Sequence, residues 1–220
     1  MKIQLLLIGC GFLNWGFGQT EKKQSFKNLF NEFQVSVNHG AANPKTFFGA
    51  GIGASHVFKP DRVVGSRVGL EVDFFHFWGG DITPPYSTET RRNQHYHATN
   101  VSVPFALRLN FGNRIRFLFE LGGRLGVNVH TLYKADVLQT AGDYEPFGQF
   151  KRKTETLSLG PFLGLSSGVG VYIPFNEKYS LLFKPDAGFN FYLAKPEYAM
   201  DMSPVTNFYV RMNIGLKLAL

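Results

Sequence analysis

Apolar and polar residues alternate one by one along much of the chain after residue 28. The clearest run is 101–111, where valine, phenylalanine and leucine hold the odd positions and polar or small residues the even ones. Successive side chains of a β-strand point to opposite faces, so this alternation predicts strands with one apolar and one polar face. The pattern predicts eight strands, at about 29–38, 46–58, 65–77, 96–111, 114–130, 156–173, 179–192 and 206–220.

The lengths of these strands and of their connections favour a membrane barrel. A membrane strand needs about 9–11 residues, whereas strands of soluble domains usually have about five or six. The connections alternate between short turns, at 60–62, 112–113 and 174–177, and longer segments, at 78–95, 131–155 and 193–205, with a modest one at 39–45. Outer-membrane barrels have this asymmetry, with the short turns in the periplasm. The prediction is an all-β, eight-stranded antiparallel up-and-down transmembrane β-barrel over residues 29–220.

Three prolines interrupt the alternating runs, and each removes a backbone hydrogen-bond donor. Pro104, Pro161 and Pro185 are therefore expected to mark a bulge or a strand end.

The first residues have the form of an export signal. Lys2 precedes an apolar stretch over 3–17, and small residues follow at Gly16 and Gly18. This predicts a signal peptide over 1–18, cleaved after Gly18 or Gln19, and a short periplasmic segment over 19–28. Cys10 ends a lipobox-like Leu-Ile-Gly-Cys, but the apolar stretch before it is very short and continues after it, which favours ordinary cleavage. The mature chain would then contain no cysteine.

The composition agrees with a membrane barrel and argues against a nucleic-acid partner. Aromatic residues make up 15% of the chain, with 23 phenylalanines, and mean hydropathy is −0.09, as expected when polar and apolar residues alternate. The formal net charge is +7, yet the cations are spread singly through the strands, which argues against a nucleic-acid surface. The expected partners are outer-membrane lipids, including lipopolysaccharide, and the barrel-insertion machinery. The sequence identifies no protein partner.

The polar face of the predicted strands carries many charges. The lumen of an eight-stranded barrel is just wide enough for side chains to fill, and an unpaired charge there is costly. We therefore expect an ion-pair plug, with inward glycines of the second and sixth strands making room. Its predicted members are Arg67, Glu71, Asp73, Arg108, Arg114, Arg116, Glu120, Arg124, Lys184, Asp186, Arg211 and Lys217.

Other interpretations of the same pattern are a proton or ion path, a narrow diffusion channel, and a soluble lipocalin-like barrel with its apolar face inward. The single strands carry more large apolar residues than a small interior could hold. That excess favours lipid on the outside.

Cations also lie at the ends of the long connections. Arg91, Arg92, Lys151, Arg152 and Lys153 are predicted to contact lipopolysaccharide phosphates, since cations beside a membrane favour anionic headgroups. A merely solvated surface is the alternative, because segment 131–155 is also acidic, with Asp136, Asp143, Glu145 and Glu155.

A catalytic site is not predicted. His95 and His97 share a strand face and could bind a metal, but no acidic or cysteine partner is near them in sequence. Ser87 and Glu89 lie close in the chain, although nothing fixes their geometry relative to these histidines. We expect no cofactor and no metal site, and keep a lipid A-modifying or acyl-hydrolysing enzyme as the alternative.

The stretches Val-Ser-Val-Pro-Phe-Ala-Leu-Arg at 101–108, Phe-Gly at 111–112 and Phe-Glu-Leu-Gly-Gly-Arg-Leu-Gly at 119–126 resemble the PorT-like outer-membrane β-barrel family, among the small OmpA/OmpX-like barrels. The segment at 215–218 resembles the closing strand of that family. The resemblance implies an outer-membrane location and transfers no catalytic residue. Leu220 departs from the aromatic residue that commonly ends such barrels.

Overall fold

The computed structural model describes residues 29–42, 45–59, 62–79, 89–112, 115–139, 150–157, 160–193 and 206–218. The predicted signal peptide and the 19–28 segment lie outside these residues. The described strands are β1 (Glu32–Ala42), β2 (Lys45–Phe58), β3 (Val64–Gly79), β4 (Glu89–Phe111), β5 (Arg116–Gln139), β6 (Lys151–Leu157), β7 (Pro161–Pro174), β8 (Tyr179–Tyr192) and β9 (Thr206–Leu218). No helix among the described residues is long and apolar enough to cross a membrane.

The strands close into a barrel. Neighbours pair antiparallel in the order β4-β3-β2-β1-β9-β8-β7-β5, and β4 also pairs with β5, which completes the ring. β6 and β7 together occupy one position in that ring. β7 pairs with Arg116–Val127 of β5, and β6 pairs with Thr131–Val137 farther along the same strand. The protein is therefore an eight-stranded antiparallel transmembrane β-barrel, as predicted.

The predicted faces are confirmed along the strands. Phe119 is 41% exposed on the outside, while the adjacent Glu120 is 4% exposed inside. Large apolar side chains cover the outer surface of all the barrel strands, including Val35, Ile52, Leu70, Leu107, Leu121, Leu165, Phe183 and Ile214. This apolar band is the surface that lipid tails would cover.

One end of the barrel extends beyond the predicted strands, which corrects two predicted loops. β4 begins at Glu89 and not near 96, and most of 131–155 belongs to β5 and β6. In β5 the cause is a bulge at Val129: Thr99 pairs with His130, and the next pair joins Asn100 to Asn128. An extra residue reverses the inside–outside alternation, so the simple pattern ended there although the strand continues. In β4 a second irregularity of register lies between Arg92 and His95. We call this end of the barrel the extended end and the opposite one, with the short connections, the turn end.

The prolines behave differently from one another. Pro161 begins β7, as predicted. Pro104 marks neither a bulge nor a strand end, since the β3–β4 register is the same on both sides of it, from Val68–Phe105 to Glu71–Ser102. Pro185 likewise lies within a continuous β8 whose pairing with β7 resumes in register. Both prolines interrupt the backbone ladder for two residue pairs without shifting it.

Candidate functional site: the lumen and the rim of the extended end

Among the described residues, ten charged side chains fill the lumen within the apolar band. Each is at most 7% exposed. They are five cations and five carboxylates, so the formal charges balance, and every one takes part in an ion pair with another of the ten: Arg67, Arg108, Arg124, Lys184, Arg211, Glu32, Glu71, Asp73, Glu120 and Asp186. A low-dielectric interior favours such pairing. We call this set the lumen network. Lys217, 8% exposed at the turn end, is a further buried cation outside these ten.

Glu120 on β5 is a centre of the lumen network, with three cations around one carboxylate. Arg67 Nε lies 2.8 Å from its Oε1 and Arg108 Nη2 lies 3.3 Å from the same atom. Lys184 Nζ donates to Oε2 at 2.5 Å. These cations come from β3, β4 and β8, so Glu120 joins both sides of the barrel.

Glu32 on β1 holds the part of the network nearer the turn end. Arg108 donates to both carboxylate oxygens, at 2.9 and 3.2 Å. The Tyr172 hydroxyl donates to Glu32, and the Ser55 hydroxyl does so at 3.3 Å. Two parallel bonds from one guanidinium make this a charge-assisted fork, the strongest class of such contacts.

Arg211 on β9 bridges two carboxylates on the other side. Its Nη1 donates to Glu71 at 2.7 Å, while Nε and Nη2 donate to Asp186 at 3.1 and 3.0 Å. Asn213 adds a hydrogen bond to Asp186 at 2.8 Å, and Gln34 adds one to Glu71 at 2.8 Å. Both acids therefore receive neutral donors as well as charged ones.

Arg124 and Asp73 continue the network toward the extended end. Arg124 Nη1 lies 3.4 Å from Asp73, which also accepts a hydrogen bond from Asn38 at 3.0 Å. Arg124 Nη2 donates to the Tyr209 hydroxyl at 2.5 Å, and its guanidinium carbon lies 4.7 Å from the centre of that ring.

Inward glycines provide the room that the long side chains occupy. A Cβ on Gly51 would overlap Asp73 Oδ1, and one on Gly164 would lie 2.5 Å from Arg124 Cγ. A cavity lined by residues that include Arg67, Glu120 and Lys184 has a volume of about 10 Å³, which is about the space of one water molecule.

The structure brings together nine of the twelve residues predicted for the lumen. Of the remaining three, Lys217 is buried at the turn end, with its ammonium 4.8 Å from the Tyr172 ring. Arg116 is half-buried at that end, and Arg114 lies outside the described residues. Sequence reasoning missed Glu32, although it shares odd–even parity with the inward Gln34.

Beyond the network the lumen becomes mainly aromatic and apolar, which the sequence interpretation did not anticipate. Phe47, Phe75, Phe77, Tyr96, Tyr133 and Tyr209 form a buried cluster with Ala98, Ala135 and Val137. Phe47 lies 5.3 Å from Phe75 and 5.0 Å from Phe77, centroid to centroid. The inside of the extended end is thus packed like the core of a soluble protein.

The outer surface of the extended end carries a row of charges across three strands. Arg92 on β4 pairs in register with Asp136 on β5, which in turn pairs with Arg152 on β6. Lys134 lies two residues from Asp136 on the same face. Asp136 accepts a hydrogen bond from Asn93 at 2.9 Å and lies 3.8 Å from Arg152, whose side chain is 72% exposed. We call Arg92, Lys134 and Arg152 the cationic face.

The other predicted headgroup contacts are placed as follows. Lys151 is exposed at the start of β6. Lys153 lies on the opposite face of β6 from Arg152, and its ammonium is 2.7 Å from Glu155. Arg91 belongs to β4, but its side chain lies outside the described part of the chain.

Three histidines meet outside the barrel at the edge of the apolar band. His76 on β3 pairs in register with His97 on β4, and His95 lies two residues from His97 on the same face. His76 Nδ1 is 3.0 Å from His97 Nδ1, and His76 Nε2 is 3.4 Å from His95 Nδ1. As these rings stand, no group of three or more His, Cys, Asp or Glu side chains among the described residues is arranged to hold a metal ion.

The closed ring, the apolar outer band and the charged interior define a small transmembrane β-barrel. No protein-family model matches the chain, and no curated protein matches it in sequence. The resemblance to the PorT-like family therefore stays a prediction.

Solved structures of small outer-membrane barrels are similar to this protein. Neisserial surface protein A is 11% identical, with a TM-score of 0.44, over 87% of this chain and 96% of that chain. A major outer membrane protein from Thermus thermophilus is 12% identical, with a TM-score of 0.42, over 86% and 98%. The outer membrane enzyme PagL is 9% identical, with a TM-score of 0.41, over 83% and 97%. Likeness at this level assigns no function, and the barrel itself rests on the strand pairings of this chain.

Proposed function

We propose that this protein is a structural or ligand-binding barrel of the bacterial outer membrane, with its extended end outside the cell. Its ligand in this proposal is the phosphate of lipopolysaccharide, and membership of the PorT-like family is part of the same proposal. The observation that carries it is the cationic face next to the apolar band: three cations and one carboxylate in one patch of β4, β5 and β6.

The position and chemistry of the cationic face suit a phosphate-bearing lipid. A lipid whose tails cover the apolar band brings its headgroup level with residues just beyond that band. Guanidinium groups bind phosphate through two parallel hydrogen bonds. The Arg92 guanidinium lies 4.8 Å from the Phe150 ring centre, an aromatic contact that limits its freedom. Arg152, mostly exposed, is available to the headgroup.

The test compares loss of charge at the two ends of the barrel. Arg92→Gln with Arg152→Gln should weaken binding to vesicles that contain lipopolysaccharide by roughly thirtyfold, since each cation near an anionic surface contributes about 1 kcal/mol. The control is Lys59→Gln with Lys178→Gln, which removes two exposed cations from the turn end.

Binding is measured as the shift in thermal unfolding with and without lipopolysaccharide at low and moderate salt. An equal loss in both double variants would show that net charge alone is responsible. That result would refute the cationic face as the binding surface.

The same proposal includes a closed lumen. Ten charged side chains occupy the lumen and the aromatic cluster fills the part beyond them. Purified protein should therefore show negligible conductance in planar bilayers and no swelling of proteoliposomes in small sugars. Steady, sugar-permeable channels would favour the narrow diffusion channel instead. No catalytic role is assigned to any residue.

Export follows from the location. We propose that the signal peptide directs the chain to the periplasm, where the barrel-insertion machinery receives it. The intact mass of protein purified from membranes should correspond to a first residue of Gln19 or Thr20. A mass that includes the first 18 residues, or a lipid on Cys10, would contradict this part of the proposal.

A further inference from the structure

The edge of the apolar band at the extended end is rich in histidine. His39, His76, His95, His97 and His130 all lie on the outer face there, and only His56, of the six histidines in the sequence, lies elsewhere among the strands. Among them, His76 contacts both His97 and His95. Neither the lumen network nor the cationic face uses them.

We propose that His76 and His97, with His95 as a third ligand, form a binding site for a divalent transition metal ion such as Cu²⁺ or Zn²⁺. The site is open to the exterior and is distinct from the proposed lipopolysaccharide contact. Imidazole nitrogen is a preferred ligand of both ions, and a site of this composition binds Cu²⁺ most strongly of the first-row divalent ions.

The distance between the two paired imidazoles suits this role. Two nitrogens on a tetrahedral zinc ion, each about 2.0–2.1 Å from the metal, are about 3.3 Å apart. His76 Nδ1 and His97 Nδ1 are 3.0 Å apart, so a small outward shift of either ring would admit the ion. A hydrogen bond between the two neutral rings would hold the same geometry without metal.

The third ring needs only to turn. His95 now faces Nε2 of His76, the nitrogen on the other side of that ring. Alternate residues of a strand are about 6.6 Å apart, and rotation about the side-chain bonds of His95 can direct its ring toward the nitrogens of the other pair. The metal would then have three protein ligands, with water completing its coordination.

The backbone fixes the three residues before any ion arrives. His76 and His97 are directly opposite each other on antiparallel strands, and the register continues on both sides through Phe75–Ala98 and Phe77–Tyr96. Phe75, Ala98 and Tyr96 point inward into the aromatic cluster, so the packed interior holds both strands. Lys134, opposite His95 on β5, is the charged neighbour that would weaken cation binding.

The test uses tag-free protein purified from membranes in detergent, without added histidines or chelator. Electron paramagnetic resonance of added Cu²⁺ should show one ion for each barrel with nitrogen ligands. His76→Gln and His97→Gln should each weaken Cu²⁺ binding at least about tenfold. That is the loss expected when a residue that only hydrogen-bonds a metal ligand is removed, and loss of a ligand itself should cost no less. His95→Gln should reduce the number of coordinated nitrogens.

The matched control is His39→Gln. His39 lies on the same edge and is exposed, but β2 stands between its strand and His76, with Phe48 paired to both. The control should bind Cu²⁺ as the unmodified protein does. Equal affinity in His76→Gln, His97→Gln and the unmodified protein would mean adventitious binding only and would overturn the site, as would the absence of any nitrogen-coordinated ion.

A second measurement needs no substitution. Zn²⁺ should protect His76 and His97 from modification by diethylpyrocarbonate, read residue by residue by mass spectrometry, while His39 stays reactive. Uniform reactivity of all three histidines with and without Zn²⁺ would refute the proposal even if a variant failed to fold. Lipopolysaccharide binding is measured separately, so the two proposals can fail independently.

Discussion

The lumen network predicts that removing the charge of Glu120 destabilises the barrel. Glu120→Gln keeps the size and removes the charge of a carboxylate that three cations approach within 3.3 Å. Arg67 still reaches Glu71 at 3.5 Å and Arg108 still reaches Glu32 at 2.9 Å. Lys184 retains only Asp186, at 3.9 Å, among the ion pairs of the described residues.

The expected cost is large because one cation loses its close partner inside the barrel. Removing one member of a buried ion pair costs about 3–5 kcal/mol. The control, Glu155→Gln, removes a carboxylate whose pair with Lys153 is partly exposed at the extended end. Exposed pairs contribute about 0–1 kcal/mol.

The free energy of unfolding is measured by urea titration of protein folded in lipid vesicles, with the shift in gel migration on boiling as the readout. A second substitution, Lys184→Met, restores the balance of charges in the Glu120→Gln background, leaving four cations and four carboxylates. The double variant should be more stable than Glu120→Gln alone, with a coupling of about 1–3 kcal/mol between the two sites. A cost for Glu120→Gln no larger than that for Glu155→Gln would refute the ion-pair role of Glu120. So would a further loss of stability when Lys184→Met is added to Glu120→Gln.

Three further predictions follow from the barrel and are measured by the same titration. Phe119→Arg, in the apolar band, should lower the free energy of unfolding by about 2–4 kcal/mol. Phe175→Arg, in the connection after β7, should lower it far less. Similar losses in the two variants would mean that lipid does not cover Phe119. Gly164→Ala should cost about 1–3 kcal/mol by overpacking, because its Cβ would lie 2.5 Å from Arg124 Cγ; the outward Ser167→Ala is its control, and an unaffected Gly164→Ala barrel would contradict the tight interior. Phe47→Ala should lower the free energy of unfolding by about 3–5 kcal/mol, since Phe47 is 1% exposed in the aromatic cluster. The adjacent Phe48 faces the lipid, and Phe48→Ala should cost less. The reverse order would place the cluster outside the barrel.

Much of the barrel was determined by the sequence alone. A strand reverses its side chains at every residue, so parity assigns each position of a regular run to lipid or to lumen without knowledge of its neighbours. Parity placed Arg67, Glu120 and Arg211 inside and Phe119 outside. The same rule applies to Glu32, which lies within the predicted first strand, two residues before Gln34 on the inward face, although Glu32 was not among the residues assigned to the lumen.

Tertiary structure decided two things that parity within one strand does not determine. One is which face a residue takes beyond a bulge, and the other is which residues of different strands lie opposite each other. The extra residue at Val129 reversed the faces of β5, and only pairing with β4 and β6 shows that the strand continues. Which charges meet is also nonlocal: Glu120 and Lys184 are 64 residues apart in sequence and 2.5 Å apart in space. His76 likewise lacks any local relation to His97 until the register of β3 and β4 sets them opposite each other. Alternation is a property of one strand, whereas register is a property of two, and the site residues of this protein depend on register.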